Sequence, residues 1–401
     1  MASFALCGFL ASAAPPSYAA NSLCGNLIAV VRAQSGNAEA VFIHSFAPGD
    51  FEAQLPLGLA STAFTYDNAA AAIALIACDD PADALRIGRA LSLASRSDRL
   101  FHDGRIRNAY RAGPVADKTP MPPRWWDGTR NVWSEDWYQD GSYTGNAAWA
   151  ALALLNLYQA THDVGFRDDA ARLIDWVAAS TVCGRFFCGG YAGFDDRQIR
   201  LPWISTEHNV DVAAAAGWLA RSGAGTRYIK VAEQAREVLN IAFLGDHFAI
   251  GVTQDGRPAA PEQFVLDVQL WPWTALPDAP SDWRKGLAFA EEHLAVGGGF
   301  DFNSDRDGVW VEGTGQAALA YRIVGNMARS TELVKGFAAD VTPGGLLNAA
   351  RGVQVLTTGI SSGTSPDAPP IVYHRRPQLA ATAWAILAER GFNPFTGSLV
   401  K

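Results

Sequence analysis

The chain has 401 residues, 49% hydrophobic and 11% aromatic, and carries a formal charge of −8 from 40 acidic and 32 basic residues. It contains no low-complexity tract and is apolar enough to fold without a partner. No Lys/Arg cluster forms a phosphate-tracking stripe, which argues against nucleic acid and anionic membranes and leaves a neutral substrate as the best fit.

Residues 1–20 (MASFALCGFLASAAPPSYAA) hold an apolar stretch that ends in the small-x-small pattern Ser17-Tyr18-Ala19, the pattern of a secretory signal without its basic n-region, with a buried N-terminal helix as the alternative. The apolar run is shorter than the about 20 residues a membrane span needs. A periplasmic or secreted protein with no membrane insertion is expected. Four cysteines then remain, Cys24, Cys78, Cys183 and Cys188. An even number in an exported chain suggests disulfides, with three possible connectivities. The spacing of Cys183 and Cys188 suits a pinched loop, and Cys24 with Cys78 follows by elimination. No His accompanies them at zinc-binding spacing, and no metal is assigned.

Residues 65–77 (TYDNAAAAIALIA) are apolar on nearly every face, as a helix between two layers must be, and 81–95 reads as a half-buried outer helix. The pair recurs as 144–160 with 167–180, 206–221 with 226–243, 265–276 with 281–295, and 311–325 with 327–340. A sixth inner helix, 376–390, takes the N-terminal segment 22–35 as its outer partner. Helix pairs recurring every about 45 to 80 residues point to a closed helical repeat. The expected fold is all-α: a single-domain (α/α)6 toroid over 21–401, with long aromatic loops and short β-hairpins at its rim. The loops are 96–143 and 183–204, and Asp255-Gly256 reads as a hairpin turn.

In such a ring every inner helix runs the same way, and their polar openings meet at one end. These openings are Thr65-Tyr66-Asp67-Asn68, Asp140 to Asn146, Thr206-Glu207-His208-Asn209, Asp267 to Gln269, Glu312 to Gln316 and His374 to Gln378. Glu207 is the strongest candidate, with Asp211 four residues on and on the same face. A first-turn Glu also serves helix capping. Glu207, His208, Asn209 and Asp211 together, ahead of a wholly apolar helix, exceed what capping needs, because buried ionisable groups are costly unless paired or used. Asp140, Asp67, Asp267 and Glu312 would share the cavity, and glycosidic cleavage needs two carboxylates facing one bond. Tyr66, Tyr143, Asn146 and Gln316 are further rim polar groups. Trp126, Trp137, Trp203, Trp271 and Trp310 flank the openings and could stack on sugar faces. Asn303-x-Asp305-x-Asp307-Gly308 resembles the start of a calcium loop, but the position for its bidentate Glu holds Thr314. Gly359-Ile360-Ser361-Ser362-Gly363 matches a nucleophile-elbow pattern without a strand-turn-helix context.

TYDNA at 65–69, TGNAAWAALALL at 144–155, STEHNVD at 205–211, LDVQLW at 266–271 and EGTGQAALAYR at 312–322 resemble the bacterial six-hairpin glycosidase-like proteins. The likeness runs from about 60 to 390. It implies an (α/α)6 toroid with a sugar-binding groove, Glu207 as general acid and Asp140 as base, with Asp67, Asp267 and Glu312 as substrate ligands or alternative bases. The function so implied is an exported glycoside hydrolase that cleaves a neutral glucan-like poly- or oligosaccharide, an endo-β-glucanase among the options, with no cofactor. Two alternatives share the fold. One is a sugar epimerase or uronate lyase using His208, His247, His374, Tyr66 or Arg375; the other is a non-catalytic glycan-binding protein. A monomer is the simplest expectation for its assembly.

Overall fold

The computed structural model describes residues 22–47, 55–260, 264–361 and 370–400. The leader expected at 1–20 and the Ser362-Gly363 end of the nucleophile-elbow pattern lie outside them. Gly359 to Ser361 belong to a strand, Val355–Ser361, paired with Pro370–His374.

Thirteen helices are described: α1 (Leu23–Ser35), α2 (Thr65–Ala77), α3 (Pro81–Arg96), α4 (Trp137–Asp140), α5 (Thr144–Thr161), α6 (Val164–Ser180), α7 (Thr206–Arg221), α8 (Arg227–Ala242), α9 (Leu266–Thr274), α10 (Lys285–His293), α11 (Val311–Ile323), α12 (Met327–Gly336) and α13 (Leu379–Arg390). The inner helices α2, α5, α7, α9, α11 and α13, rich in alanine except for α9 (LDVQLWPWT), touch one another in that order, and α13 returns to α2. Alanine lets these helices approach closely. At Gly315 of α11 even one more carbon would come within 2.9 Å of the α13 backbone. Helices α3, α6, α8, α10 and α12 each pack outside the inner helix that precedes them, and α1 covers α13 and α2, as the sequence leads one to expect. Both disulfides form: Cys24–Cys78 ties α1 to the end of α2, and Cys183–Cys188 pinches the loop after α6.

Boundaries shift where proline intervenes. Inner helix α9 ends at Thr274, two residues before the expected stop, and contains Pro272, which cannot donate a helical hydrogen bond. Its outer partner opens with a 3-10 turn, Ser281–Arg284, before α10. The sixth inner helix starts at Leu379, because Pro377-Gln378 is a strand paired with Leu347-Asn348. The turn at Asp255-Gly256 is present, with Val252 bridging Pro258.

The inner helices share one way of starting. Their first N–H groups donate to carbonyls of neighbouring rim segments: Thr65 to Asn108 (2.8 Å), Thr144 to Gly189 (3.1 Å), Thr206 to Ile250 (2.9 Å), Leu266 to Phe302 (2.9 Å), Val311 to Ala349 (3.0 Å) and Leu379 to Ser45 (2.9 Å). The fourth residue often clamps the rim as well. Asn68 bonds both backbone groups of Ile43, Gln269 both of Phe248, and Asn209 the carbonyl of Phe187. Backbone and amide groups thus satisfy most of the helix starts, and of the first-turn acids Asp267 alone accepts a helix-start N–H, that of Val268, among the described residues.

Candidate active site

The second residue of each inner helix sets the chemistry. In four of the six these residues are Tyr66, Glu207, Asp267 and Glu312, while α5 and α13 carry Gly145 and Ala380. The Tyr66 hydroxyl donates to Glu312 Oε1 at 2.5 Å and accepts from Trp384 Nε1 at 2.7 Å, so α2, α11 and α13 converge. Glu207 feels the charges of Asp267 and Glu312, which brings in α7 and α9. The His208 ring lies against Gly145 of α5, where a side-chain carbon would stand 2.5 Å from it. All six openings except that of α13 therefore contribute polar or small groups to one end of the ring.

One helical turn deeper, four residues on, stand Trp149, Asp211, Trp271, Gln316 and Trp384. Trp149 lies 5.3 Å from Trp271 and 5.8 Å from Trp384 between ring centres, and Phe395 packs on all three indoles. An aromatic floor thus underlies a layer of carboxylates.

Electrostatics in this layer run one way. Burial is the leading cause that raises every carboxyl here: Asp67 and Asp267 to about 7, and Glu207, Asp211 and Glu312 well above the usual range. Neighbouring acids raise Glu207, Asp211 and Glu312 further, and no Lys or Arg stands among the leading influences on these three. Hydrogen bonds separate them. Tyr66 and Gln316 favour ionised Glu312, and the Val268 N–H, 2.6 Å from Asp267 Oδ1, favours ionised Asp267. Glu207 has raising influences alone. His208 is pushed down to about 4 by burial, which keeps its imidazole neutral. Glu207, His208, Tyr66 and Asn146 keep some exposure, and Trp203, 41% exposed, stands 5.0 Å from the His208 ring.

Several expected site residues are placed elsewhere. Asp140 is fully buried among arginines, its Oδ2 2.9 Å from Arg99 and its Oδ1 3.4 Å from Arg107. Arg99 also holds Glu135 and Asp195, and Arg107 holds Asp98 and Asp195. This network secures the 96–143 loop, and the charges that act most on Asp140 belong to it: Arg107, Arg99, Glu135 and Asp195. Asn209 is engaged in its clamp on the rim. Trp271 and Trp310, each 2% exposed, offer no free face: Trp271 stacks on Trp384, and Trp310 lies between Phe302 and Tyr373. Tyr143 is buried against Tyr138, with Trp137 beside it. Trp126, 47% exposed, pairs with Trp133 on the hairpin of strands Trp125–Asp127 and Val132–Ser134. His247 stacks on Phe289 near the outer helices. Asn146 donates to Asn108, and Gln316 lies 3.4 Å from Glu312.

Sequence reasoning missed Tyr373, whose phenol is raised by burial and by Glu312, Asp267, Asp67 and Glu207. It arrives on the strand Pro370–His374, outside any inner-helix opening.

No family model and no curated sequence matches the chain. Solved structures do. A glycosidase in complex with glucose superposes with a TM-score of 0.63 at 14% identity, over 92% of this chain and 96% of its own. The cellobiose 2-epimerase of Spirochaeta thermophila gives 0.62 at 12% identity, over 93% and 96%. An α-mannanase of Bacteroides thetaiotaomicron gives 0.54 at 12% identity, over 92% and 94%. The chain shares the fold of these structures, a fold that carries both glycosidases and sugar epimerases.

Proposed function

We propose that the closed helix ring is an (α/α)6 toroid and that this protein is an exported glycoside hydrolase acting on a neutral, glucan-like poly- or oligosaccharide. The observation that carries this reading is the cation-free layer of Glu207, Asp267, Glu312 and Asp211 at one end of the ring. Glycoside cleavage needs a carboxylic acid that keeps its proton near neutrality beside a carboxylate that has lost one. Glu207, raised well above the usual range by burial and neighbouring acids alone and partly open, is the general acid. Asp267, raised only to about 7 and supported by the Val268 N–H, is the carboxylate that activates water or attacks the anomeric carbon. This replaces Asp140 as base, since both its oxygens face arginines.

Tyr66 with Glu312, and Trp203 at the mouth, would hold the sugar. The absence of Arg or Lys influence on the layer favours a neutral substrate over a uronate. Epimerisation by proton abstraction needs a base such as His; His208, next to Glu207 and kept neutral by burial, is the group that reading would use, and product analysis separates the two. Two disulfides fit an oxidising, extracytoplasmic compartment. The test is product analysis on a panel of neutral α- and β-glucans, with uronate polymers and cellobiose alongside. Saturated shorter sugars support the reading; unsaturated ends, or epimerised sugar of unchanged length, would replace it with a lyase or an epimerase.

A further inference from the structure

Away from the carboxylate layer, the segment Asp301-Phe302-Asn303-Ser304-Asp305-Arg306-Asp307-Gly308 folds into a tight loop just before α11. Asn303 Oδ1 accepts the Asp305 N–H (2.8 Å) and Asp305 Oδ1 the Asp307 N–H (3.2 Å), so alternate side chains turn to one side. One carboxylate oxygen from each of Asp301, Asp305 and Asp307 lies within 4.8 Å of the other two. Oxygens that share one Ca²⁺ at about 2.3–2.6 Å can be no farther apart than about 5 Å, so the spacing fits a common ion.

A cluster of acids on a surface would mean little. Asp301 is different, because it is fully buried. Its Oδ1 accepts the Phe302 N–H at 2.6 Å, while Oδ2 is sealed from solvent with no hydrogen-bond partner. A buried carboxylate with an unpartnered oxygen, clustered with two further carboxylates, is a costly arrangement.

We propose that Asp301, Asp305 and Asp307 bind one Ca²⁺ ion. The sequence pattern alone is incomplete, because Thr314 stands where a helix-loop-helix calcium site has its closing Glu. In the fold Asp301, two residues upstream of that pattern, supplies the missing buried carboxylate. An all-oxygen donor set with three negative charges suits a hard cation, and an irregular loop suits the flexible coordination of Ca²⁺ better than the strict octahedron of Mg²⁺.

The ion has a structural task. Thr357 donates its hydroxyl to Asp305 (2.7 Å) and Asp307 (2.9 Å) and its N–H to Asp307 (2.9 Å). Thr357 lies on the strand that pairs with Pro370–His374, which carries Tyr373. Phe302, beside Asp301, packs on Trp310 at 4.9 Å and on Tyr373 at 6.0 Å. Ca²⁺ therefore fastens the hairpin that brings Tyr373 to the carboxylate layer.

The test uses the full chain stripped with chelator, then titrated with CaCl₂ or MgCl₂ by calorimetry and by thermal unfolding. One Ca²⁺ per chain is expected, with Tm rising by about 2–4 °C at saturating Ca²⁺ and little response to Mg²⁺. Asp301→Asn keeps shape and removes the buried charge, and Asp305→Asn alters an exposed residue; both should fold and lose the Ca²⁺ response. Absence of binding heat and of any Ca²⁺-dependent Tm shift in the wild type, a response to Mg²⁺ alone, or an unchanged response in both variants would overturn the site.

Discussion

Asp267→Asn isolates the electrostatic cost of the carboxylate layer. Asp267 is buried, and its carboxyl is raised from 3.8 to about 7. Over that interval the folded chain holds a proton that the unfolded chain has released, so stability falls as pH rises and levels off above about 7. The rise from 3.8 to about 7 corresponds to about 4 kcal/mol. Asparagine keeps the Oδ1 that accepts the Val268 N–H and removes the charge. Glu207 feels Asp267 more than any other charge, so its deprotonation is eased as well. Asp267→Asn should match the wild type near about pH 4 and exceed its stability by about 2–4 kcal/mol near about pH 8, while turnover collapses. Urea unfolding followed by tryptophan fluorescence across that range measures the difference. A stability difference that stays flat with pH would refute the reasoning, because it would mean that Asp267 is charged in the folded chain at every pH tested.

Other consequences follow from particular contacts. Asp140→Ala should cost about 3–5 kcal/mol by leaving Arg107 and Arg99 short of a buried partner, with kcat of the folded fraction little changed; chemical denaturation and active-site-normalised kinetics separate the two effects. Trp203→Ala, at the half-exposed mouth, should raise KM by about tenfold and leave stability within about 0.5 kcal/mol of wild type, as steady-state kinetics and thermal unfolding would show. Replacing Cys24 and Cys78 together with Ser releases a loop of 54 residues and should cost about 4 kcal/mol, measured by denaturant unfolding under non-reducing conditions.

The helix ring was legible because the inner helices are apolar all round and the outer ones are not. TYDNAAAAIALIA and LAATAWAILAER each announce burial on every side. The convergence of Glu207, Asp267, Glu312 and Asp67 followed from the shared direction of those helices. What separated Asp140 from them was tertiary: Arg99 and Arg107 come from the long loop before it, and nothing local pairs an acid at 140 with arginines 33 and 41 residues upstream. The indoles misled in the same way. Trp271 and Trp310 sit beside rim motifs in sequence, yet helical register turns Trp271 onto Trp384, and a distant hairpin covers Trp310 with Tyr373. The register itself was available. Tyr66, Glu207, Asp267 and Glu312 are all second residues of inner helices, and Asp211, Trp149, Trp271 and Trp384 lie one turn below. Tyr373 and Asp301, carried by loops and hairpins, left no such periodic mark.

The most direct test of the account is Glu207→Gln on whichever neutral oligosaccharide the wild type cleaves. The substitution keeps the side chain's shape and removes its transferable proton. Turnover should fall by about 10²–10⁴-fold, while the sugar still raises the melting temperature of the variant as it does for the wild type. Turnover within about twofold of wild type, far inside the range expected for loss of a general acid, would contradict the assignment of Glu207 as the proton donor and with it the carboxylate-layer mechanism.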